Sequence, residues 1–341
     1  MKDSLKRILF NLFVGAGILV AFITYVGWGD VFSAIAGADS TLLSLGLLAG
    51  ITATITRGFI WKVVFDKFDY SYNVFELFKY YYAGAFANGI TPLGIAGGEP
   101  LIAYIISKEH DVDYEKKLGS IFSSDIMISI PFLTMSLVGL GYFLFLYHSR
   151  PIISILSAFI LIPSIVIILF FIVTWHLKDA VKKGAVYLRK VVLFFIRFIT
   201  LKWDNLKISG SGNMHEKVDR FYETIEFAFS NKRTVTEAVF ISHVSRFFDV
   251  LSLYAFIAAL GFQPSFFTVL FILPMAGLGF FLPLPGGLGS QQLILSLLLV
   301  FIANIPISVS SAAVLLYRLS TYGFVMLVGG SFAFKMSRKV F

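Results

Sequence analysis

The chain has no cysteine among its 341 residues, which excludes disulfides, thiolate catalysis and cysteine-bound metal. It also lacks a His-x-x-x-His pair, a P-loop, a Gly-x-Ser-x-Gly elbow and a dinucleotide fingerprint in a βαβ setting, and its five histidines are scattered. No metal site and no cofactor is expected from such a set. Charge is scarce as well. Only 14% of residues are charged, where soluble domains carry about 25%. What is there instead is apolar: 57% hydrophobic residues, 38 phenylalanines and a mean hydropathy of +0.84. This is the composition of an all-α polytopic membrane protein. The net charge of +8 follows from membrane topology and is no sign of a nucleic-acid partner.

Apolar segments able to cross a bilayer, which takes about 20 residues, fall at 8–27, 41–65, 119–147, 151–175, 236–260 and 306–334. The first follows Lys2, Lys6 and Arg7 but lacks a small-residue cleavage site, and reads as a retained helix. Two longer regions, 75–107 and 266–304, are interrupted by glycine and proline. The first interruption reads Asn88-Gly-Ile-Thr-Pro-Leu-Gly-Ile-Ala-Gly-Gly-Glu99-Pro100, and the second Pro283-Leu-Pro-Gly-Gly-Leu-Gly-Ser-Gln-Gln292. Broken backbone at membrane depth persists only where protein or a wet cavity satisfies its polar groups. Paired breaks in two halves of a chain are the sequence pointer to a transport site. Each region therefore reads as two arms around a break, either a re-entrant hairpin or a pair of short spans.

Lysine and arginine give the orientation. Of the 28, Arg57, Arg246 and Arg318 lie within spans, Arg150 falls in an outer loop, and the remaining 24 gather on one side if both termini are cytoplasmic. The loop 28–40 carries Asp30 and Asp39 without a basic residue, as an outer loop should. With that topology residues 1–147 and 148–341 become two repeats of opposite orientation, an inverted repeat of six full spans and two broken hairpins. The span before each hairpin carries an arginine: Arg57 precedes Pro92 by 35 residues and Arg246 precedes Pro285 by 39. Between the repeats lies the loop 176–235. Its 178–207 portion mixes basic and apolar residues as an amphipathic helix on an anionic leaflet does. After a break at Ser209-Gly-Ser-Gly-Asn213, Val218, Phe221, Tyr222, Ile225 and Phe229 predict a second, linking helix.

The chemistry is expected at the breaks and the intramembrane charges. Gly97, Gly98 and Pro100 predict a half-helix start whose free N–H groups, over 97–101, attract an anion. In the second break Ser290 is the predicted N-cap, and Gly286, Gly287 and Gly289 permit close backbone approach. A charge at mid-bilayer costs on the order of 3 kcal/mol, so Glu99, Arg246 and Arg318 should face the interior. Arg246 has Asp249 three residues on and His243 three residues back on one helical stripe. Either it pairs locally with Asp249, or it and Arg318 contact a lipid phosphate while Glu99 serves as counter-charge or proton site. Arg57, nearer the cytoplasmic face, is expected to snorkel outward, and Asp125 is a further partner for an arginine.

Gly97-Gly98-Glu99, Pro285-Gly-Gly-Leu-Gly289 followed by a polar pair, and Leu316-Tyr-Arg318-Leu-Ser-Thr-Tyr together resemble one family. It is the lysylphosphatidylglycerol synthase transmembrane-domain family, also called flippase-like and including AglD-type proteins, and the similarity runs over about 8–334. The resemblance implies a lipid translocase at the cell membrane. The synthase's separate lipid-making domain has no counterpart here, which argues against aminoacyl transfer. Two positions depart from the family's pattern: Gln292 stands where an acid is usual, and Ile102 where an arginine is. The expected function is translocation of an anionic or polyisoprenoid-phosphate-linked lipid, by a non-enzymatic membrane protein with membrane lipids as partners. A membrane-embedded transferase with Glu99 as base, or a scaffold for a glycosyltransferase or lipid synthase, are the alternatives.

Overall fold

The computed structural model describes residues 27–68, 72–91, 98–147, 214–277 and 284–340, together with Gly17, Val20, Thr24 and Gly279. The predicted spans 8–27 (apart from a few residues) and 151–175, the amphipathic helix 178–207 and Gly97 lie outside the described residues. Those described are helical, with no strand among them.

In chain order the helices are α1 (Trp28–Ala36), α2 (Ser40–Asp66), α3 (Val74–Ile90), α4 (Gly98–His110), α5 (Tyr114–Tyr147), α6 (Met214–Ser230), α7 (Lys232–Ala259), α8 (Phe266–Ala276), α9 (Ser290–Ala303), α10 (Ile307–Arg318) and α11 (Phe324–Val340). A π-helical turn, Leu319–Gly323, joins α10 to α11 into one apolar rod. Starts are set by short polar side chains that take up orphan N–H groups. Asp39 accepts from Leu42 N at 2.8 Å, Asn73 from Glu76 N at 2.8 Å, and Asn231 from Arg233 N at 2.9 Å. One segment differs from the expected outer loop. Residues Trp28–Ala36 coil into α1, because Val31 on its inner face packs with Ala312 of α10.

Four helical segments, Ser40–Asp66, Tyr114–Phe145, Lys232–Ala259 and Ile307–Met336, are long and apolar enough to cross a membrane. The shortest of them has 27 residues, about 40 Å at the helical rise. The arms of the two broken regions are shorter. α4 has 13 residues, α8 has 11 and α9 has 14, roughly 16–21 Å each against a hydrocarbon core of about 30 Å. Each of these arms is therefore too short to cross that core by itself.

Polarity is distributed as a bilayer demands. Phe145, Leu327 and Phe301 project outward at 83%, 75% and 69% exposure, while Ser245, Asp249, Ser252, Ser290, Gln291, Gln292, Ser310 and Ser311 are buried. The innermost pairing is α2 with α7, which run antiparallel. It rests on small residues that let backbones approach. Ser252 Oγ donates to the Gly46 carbonyl at 2.7 Å, and Ser245 Oγ to the Ala53 carbonyl at 2.8 Å. A Cβ at Gly46 would meet the Phe256 ring at 2.9 Å. α8 is buried from Thr268 to Ala276 and anchors the main apolar cluster with α7, α9 and α10. The linking helix predicted from Val218 to Phe229 is α6. It packs on α5, where Thr224 closes on Gly119, and Lys217 pairs with Glu115 at 3.4 Å.

Candidate functional site: two broken hairpins and an arginine cluster

The first hairpin is pinned by Asn88. Near the end of α3 its amide oxygen accepts the Gly98 N–H at 2.6 Å, and its amide nitrogen donates to Glu99 Oε1 at 2.6 Å. One side chain thus caps α4 and orients its carboxylate. Gly98 has no room for a side chain, since a Cβ would run into the Gly84 carbonyl and Asn88. The expected run of free N–H groups is corrected accordingly: that of Gly98 is taken, and Pro100 has none. Glu99 Oε2 is buried without a hydrogen-bond partner among the described residues. Asp125 of α5 lies close enough to interact electrostatically with Glu99, and pairs with no arginine among the described residues. Ile102, where the family's pattern has arginine, is fully buried and packs on Gly84.

In the second break Gly286, Gly287 and Gly289 hold φ of 56°, 64° and 81°, a region that favours glycine. The cap differs from the expected one. Ser290 is the first residue of α9 rather than its cap, and Gln292 Oε1 reaches back to accept the Gly289 N–H at 2.9 Å. The Ser290 hydroxyl turns into the break, 2.9 Å from the Gly279 carbonyl and 3.1 Å from that of Gly287.

The two breaks touch. A Cβ on Gly286 would meet the Gly89 carbonyl at 2.9 Å and the Tyr322 ring at 2.7 Å. Two side chains of the α10–α11 rod stand at this contact. The Tyr322 hydroxyl donates to the Gly89 carbonyl at 3.1 Å, and Arg318 Nη2 donates to the Gly286 carbonyl at 2.9 Å. The Arg318 guanidinium lies over the Tyr322 ring, 4.6 Å from its centroid, and its Nε is buried without a hydrogen-bond partner among the described residues.

Beside this contact the arginines converge on one carboxylate. Asp249 is fully buried on α7. It pairs with Arg57 of α2, with Arg246 Nη1 at 3.2 Å, and receives the Tyr317 hydroxyl at 3.4 Å. The local Arg246–Asp249 pair of the sequence is therefore present. Arg57, expected to snorkel outward, instead turns inward, because a buried carboxylate across the α2–α7 seam offers it an ion pair. His243 does not join the cluster; it meets Thr134 of α5 at 2.8 Å. Tyr317 sits within electrostatic range of Asp249, Arg57, Arg246 and Arg318 together. Two guanidinium groups thus share one carboxylate, and that of Arg318 is bonded to a backbone carbonyl instead.

Sequence reasoning assigned no role to Asn88, Tyr317 or Tyr322. Asn88 opens the first glycine motif and Tyr322 closes the Leu316–Tyr322 motif, so both lay within stretches already marked. Tyr317 adjoins Arg318, but only the packing of α10 on α7 turns it to Asp249.

Fold and site define a helical membrane protein with two broken apolar regions and a cluster of interior arginines. Residues 8–329 match the family described as lysylphosphatidylglycerol synthase TM region, and the chain belongs to that family. Similar proteins include a UPF0104 membrane protein of Methanocaldococcus jannaschii, 26% identical over 326 residues, 94% of this chain and 93% of that one. A UPF0104 membrane protein of Methanothermobacter thermautotrophicus is 25% identical over 334 residues, 96% of this chain and 93% of its own. One from Pyrococcus horikoshii is 21% identical over 329 residues, 95% and 96% of the respective chains.

Proposed function

We propose that this chain is a lipid translocase that carries an anionic phospholipid or a polyisoprenoid-phosphate-linked lipid between the leaflets of the cell membrane. The observation that carries the proposal is the charge imbalance at the hairpin contact. Arg57 and Arg246 share a single carboxylate, Asp249, and Arg318 beside them pairs with no carboxylate among the described residues. Unbalanced charge in so apolar a medium is costly, and a lipid phosphate is the partner that would balance it. The half-helix breaks give that headgroup a polar seat at a depth where continuous helices offer only side chains. Arg246 and Arg318 are the assigned phosphate contacts. Gly98, Gly286, Gly287 and Gly289, and Gly97 beyond the described residues, shape the breaks, and Gln292 holds the second one open at its cap. Glu99 stands apart from the arginines as the proton-carrying or counter-charge group. The proposal includes six full spans, an inverted repeat and cytoplasmic termini.

Purified protein in liposomes containing fluorescent anionic and zwitterionic lipids tests this directly. Wild type should move anionic lipid across the bilayer, and Glu99→Gln and Arg246→Ala should abolish the movement with folding intact. Movement of no lipid in any such mixture would sink the translocase reading in favour of a transferase or scaffold.

A further inference from the structure

Each broken hairpin is held by a side chain of the same rod. Tyr322 takes the carbonyl of Gly89 from the first hairpin, and Arg318 that of Gly286 from the second. The two side chains stack on one another, and the backbones of Gly89 and Gly286 lie against each other beneath them. Both sit at a π-helical turn, with Arg318 immediately before it and Tyr322 within it. Such a turn departs from the regular helical hydrogen-bond ladder and recurs at functional sites.

We propose that Arg318 and Tyr322 form a clasp that shuts the path between the hairpins, and that the phosphate of an anionic lipid opens it by drawing Arg318 off the Gly286 carbonyl. The inference rests on the translocase reading. A neutral carbonyl is a weak station for a guanidinium compared with a phosphate, which accepts two parallel N–H bonds and carries charge. The buried Nε of Arg318, which has no hydrogen-bond partner among the described residues, supplies the second donor for that fork. Once the guanidinium moves, the Tyr322 ring loses its stacked partner, and one hydrogen bond to Gly89 is all that remains of the clasp. Arg57 and Arg246 nearby disfavour a headgroup ammonium beside the phosphate. The clasp therefore reads net headgroup charge as well as the phosphate, and Tyr322 is a positioning residue that acts through Arg318.

The absence of cysteine makes the test clean. Thr91, two residues beyond Gly89, is 2% exposed and its hydroxyl is without a partner, so Thr91→Cys places a single thiol beside the clasp. The full chain carrying it is reconstituted in phosphatidylcholine vesicles with or without phosphatidylglycerol, and labelling by a water-soluble maleimide is timed. Labelling should be slow in phosphatidylcholine and faster with phosphatidylglycerol. Tyr322→Phe, which keeps the ring and deletes the hydroxyl, should speed labelling in phosphatidylcholine alone by about fivefold, the factor carried by one lost hydrogen bond. Arg318→Gln should label fast in both vesicles with no response to phosphatidylglycerol. Labelling as slow as the parent in Tyr322→Phe, in a protein that melts with the parent, would overturn the clasp, as would a parent indifferent to phosphatidylglycerol. Lipid movement followed in the same vesicles keeps the two claims apart. Movement with unaltered labelling rejects the clasp alone, while labelling as expected without movement of any lipid rejects translocation.

Discussion

Asp249 holds the most consequential single carboxylate in the interior, because two guanidinium groups depend on it. Asp249→Ala would leave Arg57 and Arg246 half-buried without their carboxylate, and breaking even a fully buried pair costs no more than about 3–5 kcal/mol. A fall in melting temperature in detergent is expected, and adding Arg57→Ala to Asp249→Ala should recover part of the loss by removing one stranded charge. Gln292 illustrates the opposite case. Its work at the cap is to present an oxygen to the Gly289 N–H, which a carboxylate does equally well. Gln292→Glu should keep the cap but melt below the parent, because its carboxylate would be buried, whereas Gln292→Leu should lose about 0.5–2 kcal/mol, the usual worth of a helix cap.

At the level of elements, the hairpins depend on close backbone contact more than on apolar area. Gly98 lets α4 lie against the Gly84 carbonyl of α3, and Gly329 lets α11 lie against that of Tyr82. A methyl group at either place meets backbone, which cannot swing aside. Gly98→Ala is expected to destabilise by about 1–3 kcal/mol, the cost of overpacking, and to disturb the Asn88 clamp with it. Gly141 on α5 has nothing within 4 Å of a would-be Cβ, so Gly141→Ala should be neutral or stabilising by up to about 1 kcal/mol. Thermal unfolding of the two variants side by side distinguishes crowding from a general intolerance of alanine. These breaks were legible as glycine and proline inside apolar runs, and their arms begin and end close to the expected places. The clamp was not. Asn88 and Gly98 are ten positions apart, and only the packing of α4 on α3 brings amide and N–H together.

For the whole molecule, the placement of lysine and arginine predicts that both termini face the cytoplasm. Single cysteines at Ser4 and Ser337 should react with an impermeant maleimide only from the cytoplasmic side, and one at Ser40 only from outside. Labelling of Ser4→Cys and Ser337→Cys from opposite sides would rule out an even number of crossings and with it the inverted repeat. The antiparallel seam of α2 and α7 suits that repeat, since these are the two arginine-bearing spans expected to correspond.

By itself the sequence determined that the chain is a helical membrane protein, where most of its long helices run, and where two of its apolar regions are interrupted. Those properties follow from composition and local pattern: apolar length, cap residues, and glycine or proline where a helix must stop. The tertiary structure decided which polar groups meet. Arg57 is 192 positions from Asp249, Arg318 is 32 from Gly286, and Tyr322 is 233 from Gly89. In an apolar medium each buried charge or carbonyl takes whatever partner the packing delivers, so the arginine cluster and the clasp exist only once the small-residue seams have brought distant helices together.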